Sequence, residues 1–335
     1  YTSIMFIIGT YGLAVIFCVV TMLCWGSWAN TQKLASATWR FELFYWDYVF
    51  GILLMTLLLG FTMGSVGEGG RPFLEDLAQA DQANIGSALL GGVLFNAANI
   101  LLVASISIAG MSVAFPTGIG LALVVGVIVN YLDRPEGDAS LLFGGVALVA
   151  AAILLNAYAY RRASKEKKGV STKGLLLAIV AGLLMGFFYK YVASTMFTDF
   201  TVPEVGKMSP YSAVFVFGIG ILLSNLIFNT LLMRFPFVGE SVSFGDYFKG
   251  GSRNHLIGIL GGGIWCIGMS FSILASDQAG PAISYGLGQG ATIVAAIWGI
   301  YVWKEFAGAP KGTSTILNIM LLFYLVGLGL IVAAG

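Results

Sequence analysis

The sequence predicts an all-α integral membrane protein with ten transmembrane helices, arranged as an inverted repeat of two five-helix halves. Three observations predict this fold class. Of the 335 residues, 58% are hydrophobic and 10% are charged, and the mean hydropathy is +0.90, whereas about a quarter of the residues in a soluble domain are charged. The apolar residues are gathered in runs of roughly 20. Similar motifs recur about 170 residues apart.

The apolar runs divide the chain into ten predicted spans joined by short loops. None of the loops is long enough to be a folded domain, and the acidic stretch in the longest, residues 64–84, predicts a short surface helix. The first run lacks a basic start and a cleavage site, which indicates a true span and not a signal peptide. The predicted spans are 7–29, 44–63, 85–107, 110–131, 140–159, 174–197, 210–233, 255–275, 280–302 and 314–334.

Basic residues are unevenly distributed between the loops. The loops after odd-numbered spans hold 13 Lys and Arg residues, and the loops after even-numbered spans hold three. Because cytoplasmic loops collect Lys and Arg, this pattern places the odd-numbered loops in the cytoplasm and both termini outside a plasma or inner cell membrane. The 13 residues are Lys33, Arg40, Arg161, Arg162, Lys165, Lys167, Lys168, Lys173, Arg234, Lys249, Arg253, Lys304 and Lys311.

The two halves of the chain resemble each other at a nearly constant spacing. Residues 90–92 and 260–262 both read Leu-Gly-Gly, Phe95 corresponds to Trp265, and the same shift of 170 residues continues across two spans. Five spans is an odd number, so the second copy enters the membrane in the opposite direction. Inverted repeats give many secondary transporters two alternating gates with substrate bound between the halves. The predicted units are residues 1–160, a basic cytoplasmic linker at 161–173, and residues 174–335.

Four motifs carry a resemblance to known families. "CWGS" at 24–27, "GMSVAFPTGIGLALVVGV" at 110–127 and "WKEFAGAP" at 303–310 resemble the glucose/ribose uptake permeases and the rhamnose–proton symporters. "FELFYWDYVFG" at 41–51 resembles the plant ureide permeases and their bacterial relatives. With its five-plus-five spans, the whole chain resembles the drug/metabolite transporter superfamily. The resemblance implies secondary transport of a small polar solute and fits both a sugar and a ureide.

Polar residues predicted near the middle of the bilayer are the candidate binding residues, since buried polar groups in lipid are costly unless they are paired. Amides and hydroxyls can bond a neutral solute, and a tryptophan face can cover a sugar ring or stack on a planar heterocycle. Interhelical hydrogen bonds and ordinary packing are the alternative interpretation. The candidates for solute binding are Asn96, Asn99, Trp265, Gln289, Lys190, Trp25, Ser270, Tyr285, Asn225 and Thr117.

Residues that could couple a proton or form a gate lie nearer the membrane surfaces. Asp47 enters span two among aromatic residues and could take up and release a proton, or simply anchor the helix. Lys190 is predicted two-thirds of the way through span six, as a substrate ligand or the fixed cation of a gate, with snorkelling as the alternative. Trp28 and Asn30 are predicted at the inner gate. His255, the only histidine, is interpreted as interfacial.

Glycines at equivalent places in the two halves predict local changes in helix geometry. "FPTGIG" at 115–120 and "SYGLGQG" at 284–290 each combine closely spaced glycines with polar residues. They permit close backbone approach or a break in the helix at a transport site. Glycines that only allow tight packing are the alternative.

These observations predict a secondary active transporter that takes up a small neutral polar solute, first of all a sugar, with a proton by alternating access. The alternatives are a ureide or nucleobase permease of the same superfamily and a metabolite exporter. The single histidine and scattered acids form no catalytic constellation, which argues against an enzyme. The three cysteines lack metal-ligand spacing, so no metal or cofactor is expected. A net charge of +1 argues against nucleic acid; the expected partners are the solute, a proton and the bilayer.

Overall fold

The computed structural model of the protein describes residues 5–36, 38–67, 69–163 and 171–335. Within these ranges the secondary structure is helical apart from two isolated β-bridges, Met5 with Gly69 and Met196 with Met208. Residues 164–170, which hold most of the predicted basic linker, lie outside the described ranges. The predicted all-α fold class is confirmed.

Ten helices in the described part of the chain are long and apolar enough to cross a membrane, which confirms the predicted number of spans. We number them 1 to 10 in chain order. They are Tyr11–Leu34, Phe41–Phe61, Gln82–Ala109, Phe115–Asp133, Ala139–Ala163, Thr172–Ala193, Pro210–Arg234, Ser252–Ala279, Pro281–Val302 and Thr313–Ala333.

The spans begin and end at residues suited to helix termini. Thr10, Asp81, Ser171 and Ser209 precede spans 1, 3, 6 and 7, and each side chain accepts a hydrogen bond from the backbone N–H three residues later. Spans 3 and 8 end at Gly110 and Gly280, whose φ angles are 79° and 75°. Only glycine adopts this conformation without strain. These two glycines are 170 residues apart, the spacing of the repeat.

The contacts between spans are compatible with the inverted repeat. Span 3 packs against span 6 and span 1 against span 8; span 2 packs against span 8 and span 7 against span 3. The contact of spans 3 and 6 therefore corresponds to that of spans 8 and 1, and the contact of spans 2 and 8 corresponds to that of spans 7 and 3, when each span is replaced by its counterpart in the other half. Spans 5 and 10 pack together. Small residues bring the backbones close at matched places, because a methyl group on Gly92 would overlap the Phe217 carbonyl and one on Gly262 the Tyr48 carbonyl.

The span ends form two faces of different charge. We call the face that carries Lys33, Arg162 and Lys311 the basic face, and the opposite face, near both termini, the acidic face. On the basic face Arg162 donates to the carbonyl of Lys311 at 2.9 Å. On the acidic face the backbone N–H of Asp138 donates to the carbonyl of Ala334 at 2.7 Å.

A short helix covers each face. Phe73–Gln79 is the predicted surface helix; its buried Asp76 accepts hydrogen bonds from the Ser209 backbone at 2.6 Å and from Arg71 at 3.2 Å. Burial raises the pKa of Asp76 despite these donors. On the basic face Phe244–Phe248 begins with a capping box, in which hydrogen bonds from Ser243 lower the pKa of Asp246.

Three spans depart from regular α-helix, and two of them, spans 4 and 9, do so at the glycine motifs that predict a change. Span 1 has a one-residue turn at Trp28, between helices Tyr11–Ser27 and Ala29–Leu34. Span 4 starts with the π-helical turn Phe115–Ile119. Span 9 is interrupted by a two-residue turn at 289–290 and ends in a second π-helical turn, Trp298–Val302. All three irregular regions border the same cavity.

Candidate substrate site

A cavity of about 730 Å³ opens on the basic face and extends to the middle of the spans. Its mouth is lined by Lys33, Tyr160 and Glu305, near the basic-face ends of spans 1, 5 and 9. Its inner end reaches Phe95 and Trp265 in the middle of spans 3 and 8. The volume is within the roughly 300–1,000 Å³ typical of small-molecule sites.

Aromatic rings form the floor of the cavity. The rings of Trp25 and Trp265 are nearly parallel, with 13° between their planes and 5.9 Å between their centroids. The indole N–H of Trp25 donates to the backbone carbonyl of Trp265 at 3.2 Å, and the ring of Phe95 lies 4.3 Å from that of Trp265. These contacts fix an apolar surface against which a flat ligand face can pack. Six of the seven tryptophans line the cavity: Trp25, Trp28, Trp39, Trp265, Trp298 and Trp303.

Two amide side chains line the cavity at its inner end. Asn99 donates from Nδ2 to the hydroxyl oxygen of Tyr45 at 3.1 Å. Gln289 is only 8% exposed, yet its amide makes no hydrogen bond to the described residues. The turn that interrupts span 9 holds Gln289 at the cavity wall. Because this amide lines the cavity, it can both donate hydrogen bonds to a solute there and accept them from it.

Asn96 and Tyr285, also predicted as solute ligands, lie behind the cavity wall. The Asn96 amide accepts from Tyr45 at 2.9 Å and donates to Ser224 at 2.9 Å. The hydroxyl oxygen of Tyr285 lies 3.1 Å from the carbonyl oxygens of Ala122 and Met185 and donates its single hydrogen to one of them or shares it between them. Neither side chain lines the cavity in this conformation. Their hydrogen bonds connect spans. In this conformation the two side chains can therefore affect solute binding only indirectly, through the packing of those spans.

Three further candidates do not line the cavity. Ser270 is buried in span 8, with its hydroxyl 3.9 Å from the sulfur of Cys266. Asn225 is fully buried in span 7, and neither of its amide atoms has a partner among the described residues. Thr117 belongs to the π-helical turn whose residues Phe115 and Ile119 do line the cavity.

Lys190 lies nearer the acidic face than predicted. Span 6 ends at Ala193, four residues before the predicted end, so Lys190 is in its last turn. Its ammonium group pairs with Asp133 at 2.9 Å, at the end of span 4, and both side chains are partly exposed. Lys190 is therefore remote from the cavity and connects two spans at the acidic face.

Trp28 and Asn30, predicted at the inner gate, both line the outer part of the cavity. The ring of Trp28 packs on Tyr48 with 4.7 Å between centroids. Asn30 accepts a hydrogen bond from the indole of Trp303 at 2.6 Å and donates to the carbonyl of Ser27 at 3.0 Å. The Asn30–Trp303 bond connects spans 1 and 9 at the mouth.

The mouth also contains a charged cluster that the sequence analysis did not identify. Glu305 pairs with Lys33 at 2.9 Å and accepts a hydrogen bond from Tyr160 at 2.5 Å. The Lys33 ammonium group also lies 4.6 Å from the ring of Trp303. Lys33 and Glu305 are 272 positions apart, so no local pattern predicts the pair; the only signal was Glu305 within the "WKEFAGAP" motif.

Asp47 forms a buried cluster beside the mouth. The carboxylate is 1% exposed and lies 2.9 and 3.0 Å from Nδ1 of His255. Tyr247 donates to the same carboxylate at 2.6 Å. Burial and the neighbouring Asp47 raise the pKa of Tyr247, so its hydroxyl remains a donor at neutral pH. His255, interpreted as interfacial, lies in the first turn of span 8 and contacts Asp47 there.

Comparisons with known proteins agree with this arrangement of spans. The family model described as Ureide permease matches residues 44–170 and 159–334. Ureide permease 1 of Arabidopsis thaliana is 23% identical over 99% of both chains, and Ureide permease 2 is 21% identical over the same shares. A Listeria innocua protein named for sugar uptake is 25% identical over 83% of this chain and 86% of its own.

One solved structure superposes on nearly the whole chain. It covers 95% of this chain and 96% of its own, with a TM-score of 0.62 and 15% identity. At this identity the likeness concerns the fold alone. It supports the ten-span architecture independently of the sequence matches.

Proposed function

The chain belongs to the ureide permease family, and on that premise we propose that it carries a small planar cyclic amide, such as a ureide or a nucleobase. Membership in the family makes the protein a membrane permease and not an enzyme. The plant relatives that align over 99% of this chain are named for ureides. A ureide or nucleobase therefore replaces the sugar, which the sequence motifs favoured, as the first solute to test.

The observation that carries this proposal is the combination of a flat tryptophan floor with two amides at the inner end of the cavity. Trp25 and Trp265 offer a surface for one face of a planar ring. Asn99 and Gln289 border the same end of the cavity. A primary amide offers a donor and an acceptor side by side, which matches the N–H and C=O edge of a cyclic amide.

A sugar is the second candidate. The Listeria relative that aligns over 83% of this chain is named for sugar uptake. The apolar face of a sugar ring can also pack on Trp265, and its hydroxyls can bond Asn99 and Gln289. The two classes of solute differ in shape and in their edges. Only a planar cyclic amide has two flat faces for stacking on aromatic rings together with an N–H/C=O edge for the amides.

Uptake coupled to a proton is the mode of transport that we propose. We propose that the basic face lies in the cytoplasm, since cytoplasmic loops collect Lys and Arg; the cavity would then open inward. The buried pair of Asp47 and His255 supports the coupling, since a carboxylate and an imidazole 2.9 Å apart can exchange a proton. The pair joins span 2 to span 8, which also contributes Trp265 to the floor.

The ion pair of Lys190 with Asp133 is proposed to hold the acidic face closed in this conformation. It joins the ends of spans 6 and 4. Asp133 and Trp303 are 170 residues apart, and Lys190 matches Asn30 at a shift of 160. The pair of Lys190 with Asp133 is therefore equivalent in the repeat to the bond between Asn30 and Trp303 at the mouth.

Binding measurements on the purified protein test the solute class. We expect allantoin or uracil to bind, and the substitution Gln289→Leu to weaken binding by at least about tenfold, because it removes the free amide at the cavity wall. Isothermal calorimetry in detergent measures both. The matched control is Gln278→Leu, which changes an exposed glutamine at the acidic-face end of span 8. This substitution should leave binding unchanged.

The outcomes separate the candidate solutes. Binding of glucose or ribose with no response to allantoin or uracil would contradict the cyclic-amide proposal and favour the sugar. Equal binding of a cyclic amide by the wild type and Gln289→Leu would keep the solute class but remove Gln289 from the site.

A further inference from the structure

We propose that Tyr45 fixes the orientation of the Asn99 amide, so that the amide oxygen and not its NH₂ group faces the cavity. The site would then select solutes that donate a hydrogen bond to Asn99. This inference rests on the proposed function, because it specifies which hydrogen-bonding group of the solute contacts Asn99. It follows from the direction of a chain of hydrogen bonds that starts in the backbone of span 7.

The chain begins at Ser224, whose single hydroxyl hydrogen is used within its own helix. The hydroxyl donates to the carbonyl of Gly220 at 2.8 Å, with the carbonyl of Ile221 at 3.0 Å. Ser224 can therefore only accept a hydrogen bond from Asn96, whose Nδ2 is 2.9 Å away. The carbonyl oxygen of Ile221 lies 3.4 Å from the same nitrogen and can also only accept a hydrogen bond from it. Asn96 must present its NH₂ group to span 7.

The orientation of Asn96 then determines that of Tyr45. With Nδ2 facing span 7, the amide oxygen of Asn96 faces Tyr45, which must donate to it at 2.9 Å. Tyr45 and Asn96 are both fully buried, so water does not replace either partner. A phenol has one hydroxyl hydrogen, and Tyr45 donates it to Asn96.

The Tyr45 hydroxyl oxygen still has a lone pair that can accept a hydrogen bond, and Asn99 is its donor. The hydroxyl oxygen can only accept, and it does so from Nδ2 of Asn99 at 3.1 Å. Turning the Asn99 amide over would place two oxygens against each other with no hydrogen between them. The backbone carbonyls of span 7 thus set, through three side chains, which end of Asn99 is left for the cavity that it lines.

An oxygen at this position requires an N–H or O–H group on the solute. A cyclic amide with a free ring N–H satisfies it, whereas an analogue with every ring nitrogen methylated leaves a buried acceptor unpaired. Sites built around such a hydrogen bond reject analogues that lack it far more strongly than pockets that sense shape alone. Tyr45 and Asn96 are in this sense positioning residues, and Asn99 is the residue that contacts the solute.

Tyr45→Phe tests the proposal, with Tyr48→Phe as its matched control. Tyr48 is also fully buried, stacks on Tyr45 with 5.3 Å between ring centroids, and has a hydroxyl without a partner among the described residues. The measurement is the ratio of calorimetric dissociation constants for 1,3-dimethyluracil and uracil, on the full chain in detergent. We expect the wild type to prefer uracil by at least about tenfold.

In Tyr45→Phe we expect this preference to fall by about tenfold, since the Asn99 amide is then free to rotate, while Tyr48→Phe stays within about twofold of the wild type. An unchanged ratio in Tyr45→Phe, or an equal loss in both variants, would overturn the proposal. If Tyr45→Phe does not fold, Asn99→Leu removes the oxygen itself and must lower the same ratio.

Failure of the proposed function would be distinguishable from failure of this inference. If the wild type binds neither pyrimidine, the cyclic-amide proposal fails, and the hydrogen-bond chain is judged by melting temperatures of the unliganded protein. The effects of Tyr45→Phe and Asn99→Leu must then be non-additive, and those of Tyr48→Phe and Asn99→Leu additive. Additivity in both pairs would show that Tyr45 does not hold Asn99.

Discussion

Asp47 and His255 are the residues outside the cavity whose contact has the largest chemical consequence. A carboxylate that is 1% exposed is costly to keep charged without partners. Nδ1 of His255 and the hydroxyl of Tyr247 supply those partners at 2.9 and 2.6 Å. When the pair gains or loses a proton its net charge changes by one, in a place where the surrounding aromatic rings give little screening.

The substitution Asp47→Asn should make uptake insensitive to pH. Asparagine keeps the size of the side chain and an acceptor for Tyr247 but cannot exchange a proton. We expect the wild type to take up solute faster as the outside becomes more acidic, and Asp47→Asn to give a flat profile. Initial uptake rates in proteoliposomes measure this.

The control for that experiment is Glu240→Gln, which neutralises an exposed carboxylate on the same face. Its pH profile should match the wild type. If Asp47→Asn also kept the wild-type profile, the proton would have to be coupled elsewhere or not at all.

Sequence spacing predicted part of the site at this scale. Asn96 and Asn99 are three residues apart, which places them on one side of span 3, and both do bond Tyr45. The spacing does not say which of them reaches the cavity, because that depends on where spans 2 and 7 pack. Asp47 and His255 are 208 positions apart, so their contact is a property of the fold that no local pattern reveals.

Glycines determine how closely the helices approach at the scale of elements. Gly262 of span 8 lies against the backbone of span 2, and Gly92 of span 3 lies against that of span 7, at equivalent places in the repeat. Close backbone contact of this kind gives dispersion without large side chains, which suits helix packing in lipid. It also places Trp265, one turn after Gly262, at the cavity floor.

The substitution Gly262→Ala should destabilise the protein by about 1–3 kcal/mol, because the added methyl group overlaps the Tyr48 carbonyl and the helices must separate. The melting temperature in detergent measures this. Gly86→Ala is the matched control in span 3, where nothing lies within 4 Å of the new methyl group. Alanine there should be neutral or stabilising, since it is the better helix former; equal effects at the two sites would contradict the packing argument.

The elements themselves were largely predictable. All ten apolar runs became spans, because the length and hydropathy needed to cross a bilayer are local properties of the sequence. The ends were less predictable: span 6 stops at Ala193 where the chain turns, which moves Lys190 into its last turn. The glycine-rich motifs indicated where spans 4 and 9 become irregular but could not show that these irregularities border one cavity.

In the part of the chain that the structure describes, the cavity is open at the basic face and ends at the tryptophan floor. The cavity reaches the basic face through the cluster of Lys33, Tyr160 and Glu305. Beyond the tryptophan floor the spans pack together, as when Thr21 donates to the carbonyl of Gly268 at 2.8 Å. In transporters that are built as an inverted repeat, movement of one half against the other opens one face and closes the opposite face.

Exchange of the charges of Lys190 and Asp133 tests the closure of the acidic face. We expect Lys190→Asp and Asp133→Lys each to slow uptake, and the double exchange to restore it, because the pair reforms in reverse. The stability of each single variant should fall by less than about 1 kcal/mol, since the pair is partly exposed. Uptake rates and melting temperatures measure the two effects separately.

Lys207 with Glu204 provides the control pair, because the two residues lie on the same face within one loop, 3.8 Å apart, and join no spans. Lys207→Glu should leave uptake unchanged. A double exchange at Lys190 and Asp133 that failed to restore uptake would argue that the pair does more than hold two spans together.

The concentration of tryptophan around the cavity has a spectroscopic consequence. Six of the seven indoles line it, so the intrinsic fluorescence of the protein originates almost entirely from the cavity wall. Trp25 and Trp265 at the floor and Trp298 and Trp303 nearer the mouth would lose or gain contact with water as the cavity fills or closes. The emission spectrum of the unlabelled protein should therefore change when this cavity fills or closes.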